Sequence, residues 1–102
     1  FEAVGAACKV GNKDKTLIGI EDCDKIHPGN YEPMCNPILQ AKILNAEKTD
    51  LNVMMGLCVG HDSLFIKYSE APVTVLFTKD RVTGHNAVQP LYLTESYYKR
   101  LV

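Results

Sequence analysis

LNVMMGLCV, residues 51–59, is an almost continuous apolar run broken only by Asn52. Following a helix, a run of this length reads as a strand buried on both faces, as in a parallel sheet. Gly60-His61 then makes a turn, and Asp62 is expected to N-cap a short helix, DSLFIKYSE at 62–70. Leu64, Phe65 and Tyr68 fall on one side of that helix, and Ala71-Pro72 stops it. VTVLFT at 73–78 is β-branched and apolar, a second strand of the same kind.

Upstream of the run, CNPILQAKILNAEK at 35–48 is the clearest helix in the chain. Asn36 suits the N-cap, and Pro37 suits the first helical position, where its missing N–H costs nothing. Ile38, Leu39, Ile43, Leu44 and Ala46 form an apolar stripe at helical spacing. EAVGAAC at 2–8 reads as a small, buried strand ending at Cys8. Between them, residues 9–34 are polar and rich in turn residues and read mainly as loop. A loop of that length in a compact domain is usually functional or ligand-supported. LTESYYKRLV at 93–102 reads as a terminal helix capped by Thr94, after a polar loop KDRVTGHN at 79–86. This order of elements implies an α/β fold class: a three-layer, Rossmann-like open sheet with mainly parallel strands and helices on both faces.

Composition narrows the function classes. The 102 residues suffice for one domain, and 46% apolar against 23% charged residues predicts a folded chain. Eleven basic and twelve acidic residues give a net charge of −1, with no basic block to engage nucleic acid. No apolar run approaches the roughly 18 residues of a membrane span. The start, FEAVGAACKVG, lacks the basic region and cleavage site of a signal peptide. It also lacks Met, which suggests the C-terminal part of a longer protein, with an N-terminal segment missing or a second copy pairing with the sheet edge.

Four cysteines, Cys8, Cys23, Cys35 and Cys58, have neither zinc-ribbon spacing nor the crowding of a disulfide scaffold. Their places in the expected fold say more. Ligands of an open parallel sheet sit beyond the carboxyl ends of its strands. Cys8 and Cys58 end two strands, and Cys35 precedes a helix that starts on the same edge. His61 and His85 come after strands there too. The partial positive charge of the helix N-terminus is expected to lower the pKa of Cys35. Gly56 and Gly60 let backbone approach a bound atom or cluster. Taken singly, Cys8 and Cys58 read as small buried hydrophobes and His61 as a hydrogen-bonded turn residue; only their joint placement on one edge favours a metal. Cys23, between aspartates, reads as a spare thiol, and His27 as a surface residue.

GLCVGHDSLFIKYSEAPVTVLFTKDRVTGHN at 56–86, CKVG at 8–11 and MCNPILQAKILN at 34–45 together resemble the cysteine-rich microbial proteins of domain of unknown function 1847. The resemblance runs over nearly the whole chain and implies metal binding without an assigned activity. Cys8, Cys35, Cys58 and Gly60-His61-Asp62 match its motifs. It also implies a further cysteine-rich segment upstream, absent here, and a proline where this chain has Ala87. Three functions stand as expectations. The first is a thiolate site of Cys8, Cys35 and Cys58 in the reducing cytoplasm, holding an iron–sulfur cluster, or zinc with His61 or His85 added. The second is a metal-free thiol enzyme with Cys35 as nucleophile and His61 as base. The third is a structural or interaction domain.

Overall fold

The computed structural model describes residues 1–79, 82, 83, 86 and 88–101. Its centre is a parallel β-α-β unit preceded by one helix. Helix α1 spans Pro37–Ala46, strand β1 Asn52–Cys58, helix α2 His61–Tyr68 and strand β2 Val73–Lys79. A short helix α3, Gln89–Tyr92, and three 3-10 turns at Lys15–Ile18, Asp22–Asp24 and Lys99–Leu101 complete the regular structure. Mixed α/β architecture with parallel pairing is therefore correct, and the sheet is two-stranded, β1 beside β2. No helix among the described residues is long and apolar enough to cross a membrane.

Local chemistry explains the helices. The Asn36 side chain accepts the Leu39 N–H at 2.9 Å, with Pro37 in the first turn. The inward face of α1 is not the expected aliphatic stripe. Pro37, Gln40 and Ala41 are buried, Leu44 packs beside them, and Ala46 is exposed. These positions are spaced three and four apart, one face of a helix. Gln40 is tolerated there because its side-chain amide donates to Ala6 O at 2.7 Å.

The N-cap of helix α2 falls two residues earlier than its sequence suggests. Gly60, at φ 92°, is the N-cap, and Asp62 sits inside the first turn. The Asp62 carboxylate accepts the N–H groups of Gly60 at 2.8 Å and Ser63 at 3.0 Å, tightening the turn. Of Leu64, Phe65, Ile66 and Tyr68 only Phe65 is buried; it joins Ala41 and Met54, with Leu44, Leu57 and Val73 packed around them. At the far end, Asn45 clamps the two helices together. Its amide donates to Tyr68 O at 2.8 Å and its carbonyl accepts Glu70 N–H at 3.0 Å.

Two expectations are overturned and a third, the three-layer sheet, is met only in part. Residues 2–8 form no strand and are almost all exposed. Alanine and glycine bury little and pair weakly in sheets, so the segment attaches to α1 instead, through Gln40 to Ala6 and Asn36 N–H to Cys8 O at 2.8 Å. The helix layers are likewise incomplete. The core cluster unites α1, α2 and β1 on one face of the sheet, while alternate β1 residues Val53 and Met55 stay exposed. A third strand and a second helix layer are absent from the described residues. Finally, the continuous helix at 93–102 gives way to α3, nucleated earlier by Pro90, then turns that bury Tyr98 edge-to-face with Tyr97.

The long segment 9–34 is a loop, organised around Asp14. That carboxylate caps the first 3-10 turn through Thr16 N–H, accepts the Glu32 N–H at 2.9 Å, and pairs with Lys25 at 3.4 Å. The backbone hydrogen bonds of Thr16 and Glu32 hold its carboxyl well below the usual range. Glu32 is also lowered, chiefly by its hydrogen bond with Lys15. Burial opposes the charge on Lys25, but Asp22 and Asp14 outweigh it and raise its pKa. Because both carboxyls titrate lower when folded, their contribution is present above the ordinary values of 3.8 and 4.5 and is lost as pH falls. Amide exchange at residues 14–33, relative to the intrinsic rate at each pH, should accelerate on acidification through that range. Asp14→Asn should accelerate it at neutral pH and flatten the acid dependence.

Candidate functional site

Cys35, just before the start of α1, lies within electrostatic reach of both Cys8 and Cys58. Cys8 opens a tight turn in which Val10 N–H bonds Ala7 O at 3.0 Å and Asn12 N–H bonds Lys9 O at 3.1 Å. Gly11 sits in that turn at φ 88°, so close to α1 that a Cβ would lie 2.7 Å from Leu39 Cδ2. Only glycine meets both requirements. The hydrogen bond from Asn36 N–H to Cys8 O then fixes the turn beside Cys35, the residue just before the helix cap. Cys58 arrives from the other direction, at the carboxyl end of β1, where Val59 N–H continues the ladder to Lys79 O at 3.1 Å.

Electrostatics report the proximity. Burial pushes the Cys35 thiol up from its ordinary value. The charges of Cys8 and Cys58 and a hydrogen bond with Cys8 push it further, and Lys9 opposes them only weakly. The expected lowering by the helix N-terminus is therefore reversed: Cys35 lies outside the first turn, and its burial among other thiols outweighs the dipole. A thiol held protonated in this way is a poor nucleophile. Among the described residues no hydrogen bond joins Cys35 to His61, which is half-buried at the first position of α2.

The cysteines are neighbours without forming a closed ion cage: no group of three His, Cys, Asp or Glu among the described residues is arranged to hold a metal ion. Cys23 is exposed in its own 3-10 turn, its sulfur 3.8 Å from Glu21 Oε2. His27 is exposed in the same loop. His85 and Ala87, and with them much of the loop at 79–86, lie outside the described residues.

The two glycines have different structural reasons. Gly60 caps α2, with open space where a Cβ would stand. Gly56 occupies an irregularity in the sheet. Register slips between Met54 and Met55 and again between Met55 and Leu57, so Met55 pairs with Phe77 and Leu57 with Thr78. Gly56 has φ 67°, and a Cβ would lie 2.9 Å from Phe77 Cε2. Such a bulge bends a strand and re-aims the side chains beyond it, here that of Cys58. Gly56→Ala should cost about 1–2 kcal/mol from the left-handed backbone, seen as a lower urea midpoint. It should also change the alkylation rate of Cys58 more than that of Cys23.

Sequence reasoning missed Gln40 and the Asn36–Cys8 tie. Gln40 carries no apolar signal, and a backbone bond between residues 28 positions apart leaves no local trace.

A parallel β-α-β unit with a helix-capping loop and a strand end bringing three thiols together defines a thiol-bearing α/β protein. Residues 1–76 match the family described as protein of unknown function (DUF1847), and the chain belongs to that family. It is 49% identical over all 102 residues to an uncharacterized protein of Methanocaldococcus jannaschii, of which the match covers 51%. The chain thus spans about half the length of that curated relative. No solved structure matches.

Proposed function

We propose that this chain binds a metal centre through Cys8, Cys35 and Cys58, with the backbone at Gly56 and Gly60 giving room beside it. The observation that carries this reading is the half-buried Cys35 thiol beside the turn that Asn36 N–H ties to Cys8 O at 2.8 Å, with Cys8 and Cys58 both close enough to act on it electrostatically. Three soft donors crowding one another are poorly served as thiols or as bare thiolates. A bound cation reverses that repulsion, and coordinating thiols lose their protons to it.

Three cysteines from separate segments, with glycines nearby and no CxxC pair, favour an iron–sulfur cluster over a single zinc ion. Tetrahedral zinc at about 2.3 Å from each sulfur requires sulfurs about 3.8 Å apart, a closed cage that the described residues lack. In a cluster each cysteine binds a different iron, so the sulfurs stand farther apart. Three cysteines leave one iron position open. When bound, such a centre supplies electron transfer or a Lewis-acidic iron. Zinc is the second occupant, with His61 as an added ligand. Either belongs in a reducing compartment, the cytoplasm, where thiols persist.

Anaerobic purification followed by iron, zinc and acid-labile sulfide analysis tests this. The expected result is matched iron and sulfide with broad absorbance near the visible–ultraviolet border, bleached by air. One zinc per chain would retain the site and change its occupant. A protein that takes up neither metal anaerobically, even after reconstitution with iron and sulfide or with zinc, would end the proposal.

A further inference from the structure

We infer that the face of the sheet opposite the core cluster and the outer edge of β2 are an interface for a further polypeptide segment, equivalent to the half of the Methanocaldococcus relative outside the match. On β1 the exposed residues alternate with buried ones: Val53 and Met55 are 51% and 63% exposed, against 2% for Met54. Phe77, the register partner of Met55, is 52% exposed. On β2 exposure does not alternate, because Val75 and Leu76 are open as well, at 44% and 64%. A strand exposed on both faces at successive apolar positions has, among the described residues, neither a covering layer nor a second neighbouring strand. Parallel sheets are otherwise buried on both faces, and an apolar strand edge is a template for pairing.

The dimensions agree with a missing partner. The accessible surface is 7480 Å², whereas a compact monomer of 11.3 kDa has about 5700 Å². The excess is larger than the roughly 800 Å² that one partner buries in a standard interface. The radius of gyration, 16.0 Å, likewise exceeds the roughly 13 Å of a compact domain of this length. The relative identifies the occupant. The present chain matches it from end to end yet covers only 51% of it, so about as much polypeptide again accompanies this unit there. A second copy of the chain would instead bring the same two strands and the same helices.

Adjacent Met54 and Met55 supply the test, because peroxide oxidation reads the two faces of β1 separately. The chain is oxidised alone, with the remaining half of the Methanocaldococcus protein added in trans, and joined to that half in the relative's order. Peptide mass spectrometry locates the sulfoxide. Alone, Met55 should oxidise at least tenfold faster than Met54. With the second half, in either form, Met55 should slow at least tenfold. Fast oxidation of both methionines in the chain alone, with both protected by the second half, would support the same interface. Unchanged Met55 oxidation in both arms would overturn it. So would protection that rises with the concentration of the chain alone, which would assign the face to self-association.

Discussion

On the proposed metal site, Cys35→Ser should abolish metal uptake while leaving the fold standing. Serine keeps the size of cysteine but not its soft donor atom, so the loss is chemical rather than steric. Removing an outer-shell partner of a metal ligand typically costs 10–100-fold in affinity, and loss of a direct ligand should exceed a hundredfold. Cys8→Ser and Cys58→Ser should behave alike, because the Cys35 thiol senses both. Cys23→Ser should retain full metal, its thiol being exposed and bonded to Glu21 in its own loop. Retained iron, zinc and sulfide per chain, measured beside circular dichroism, separate loss of ligand from loss of fold. The Cys35 proton adds a second readout. Burial holds it in place above the ordinary thiol value of 9.0, so loading must expel it, and uptake should weaken as pH falls. Full metal content in Cys35→Ser would remove this residue from the site, whatever the other two cysteines do.

The parts of this architecture that were legible in the sequence are those in which local signals agree. Asn36-Pro37 marks a helix start by cap chemistry, and the runs at 51–59 and 73–78 are strands by length and β-branching. A helix between two apolar runs implies parallel pairing, which β1 and β2 have. The segment at 2–8 misled because small apolar residues carry no period. Whether such residues pair as a strand or tie to a helix through backbone bonds depends on partners elsewhere in the chain. Cys8 nevertheless lies beside Cys35, held by Asn36 N–H rather than by a strand end. The opposite sign of the Cys35 shift has a similar origin. A helix dipole can be read from local sequence, but burial against thiols 27 positions upstream and 23 downstream cannot. Gly56 was legible as an anomaly in an apolar run; its bulge and its contact with Phe77 were not.

The largest stability loss is expected from Phe65→Ala. Phe65 is 4% exposed and is the largest side chain in a core cluster of three buried residues, the others being Ala41 and Met54. Truncating a buried phenylalanine typically costs about 3–5 kcal/mol, from lost transfer energy and from the cavity left behind. Collapse cannot easily refill this site, because the ring sits where α1, α2 and β1 meet and α1 contributes there only Ala41 and the half-buried Leu44. A typical domain has about 5–15 kcal/mol in total, and a chain with so few buried residues belongs near the lower end. Phe65→Ala should therefore be largely unfolded under conditions where the parent is folded, and Phe65→Leu should fall between them. Leu64→Ala, one residue away but 39% exposed, should cost about 1 kcal/mol or less. Urea midpoints at constant m-value give the comparison. Equal midpoints for the two alanine variants would mean that α2 is not held by this cluster. The crossover from β1 to β2, and the position of Cys58 at its start, would then need another source of rigidity. If the midpoints differ as expected, metal retention should fall in the same order, because Phe65 and Cys58 are anchored by the same β1–α2 packing.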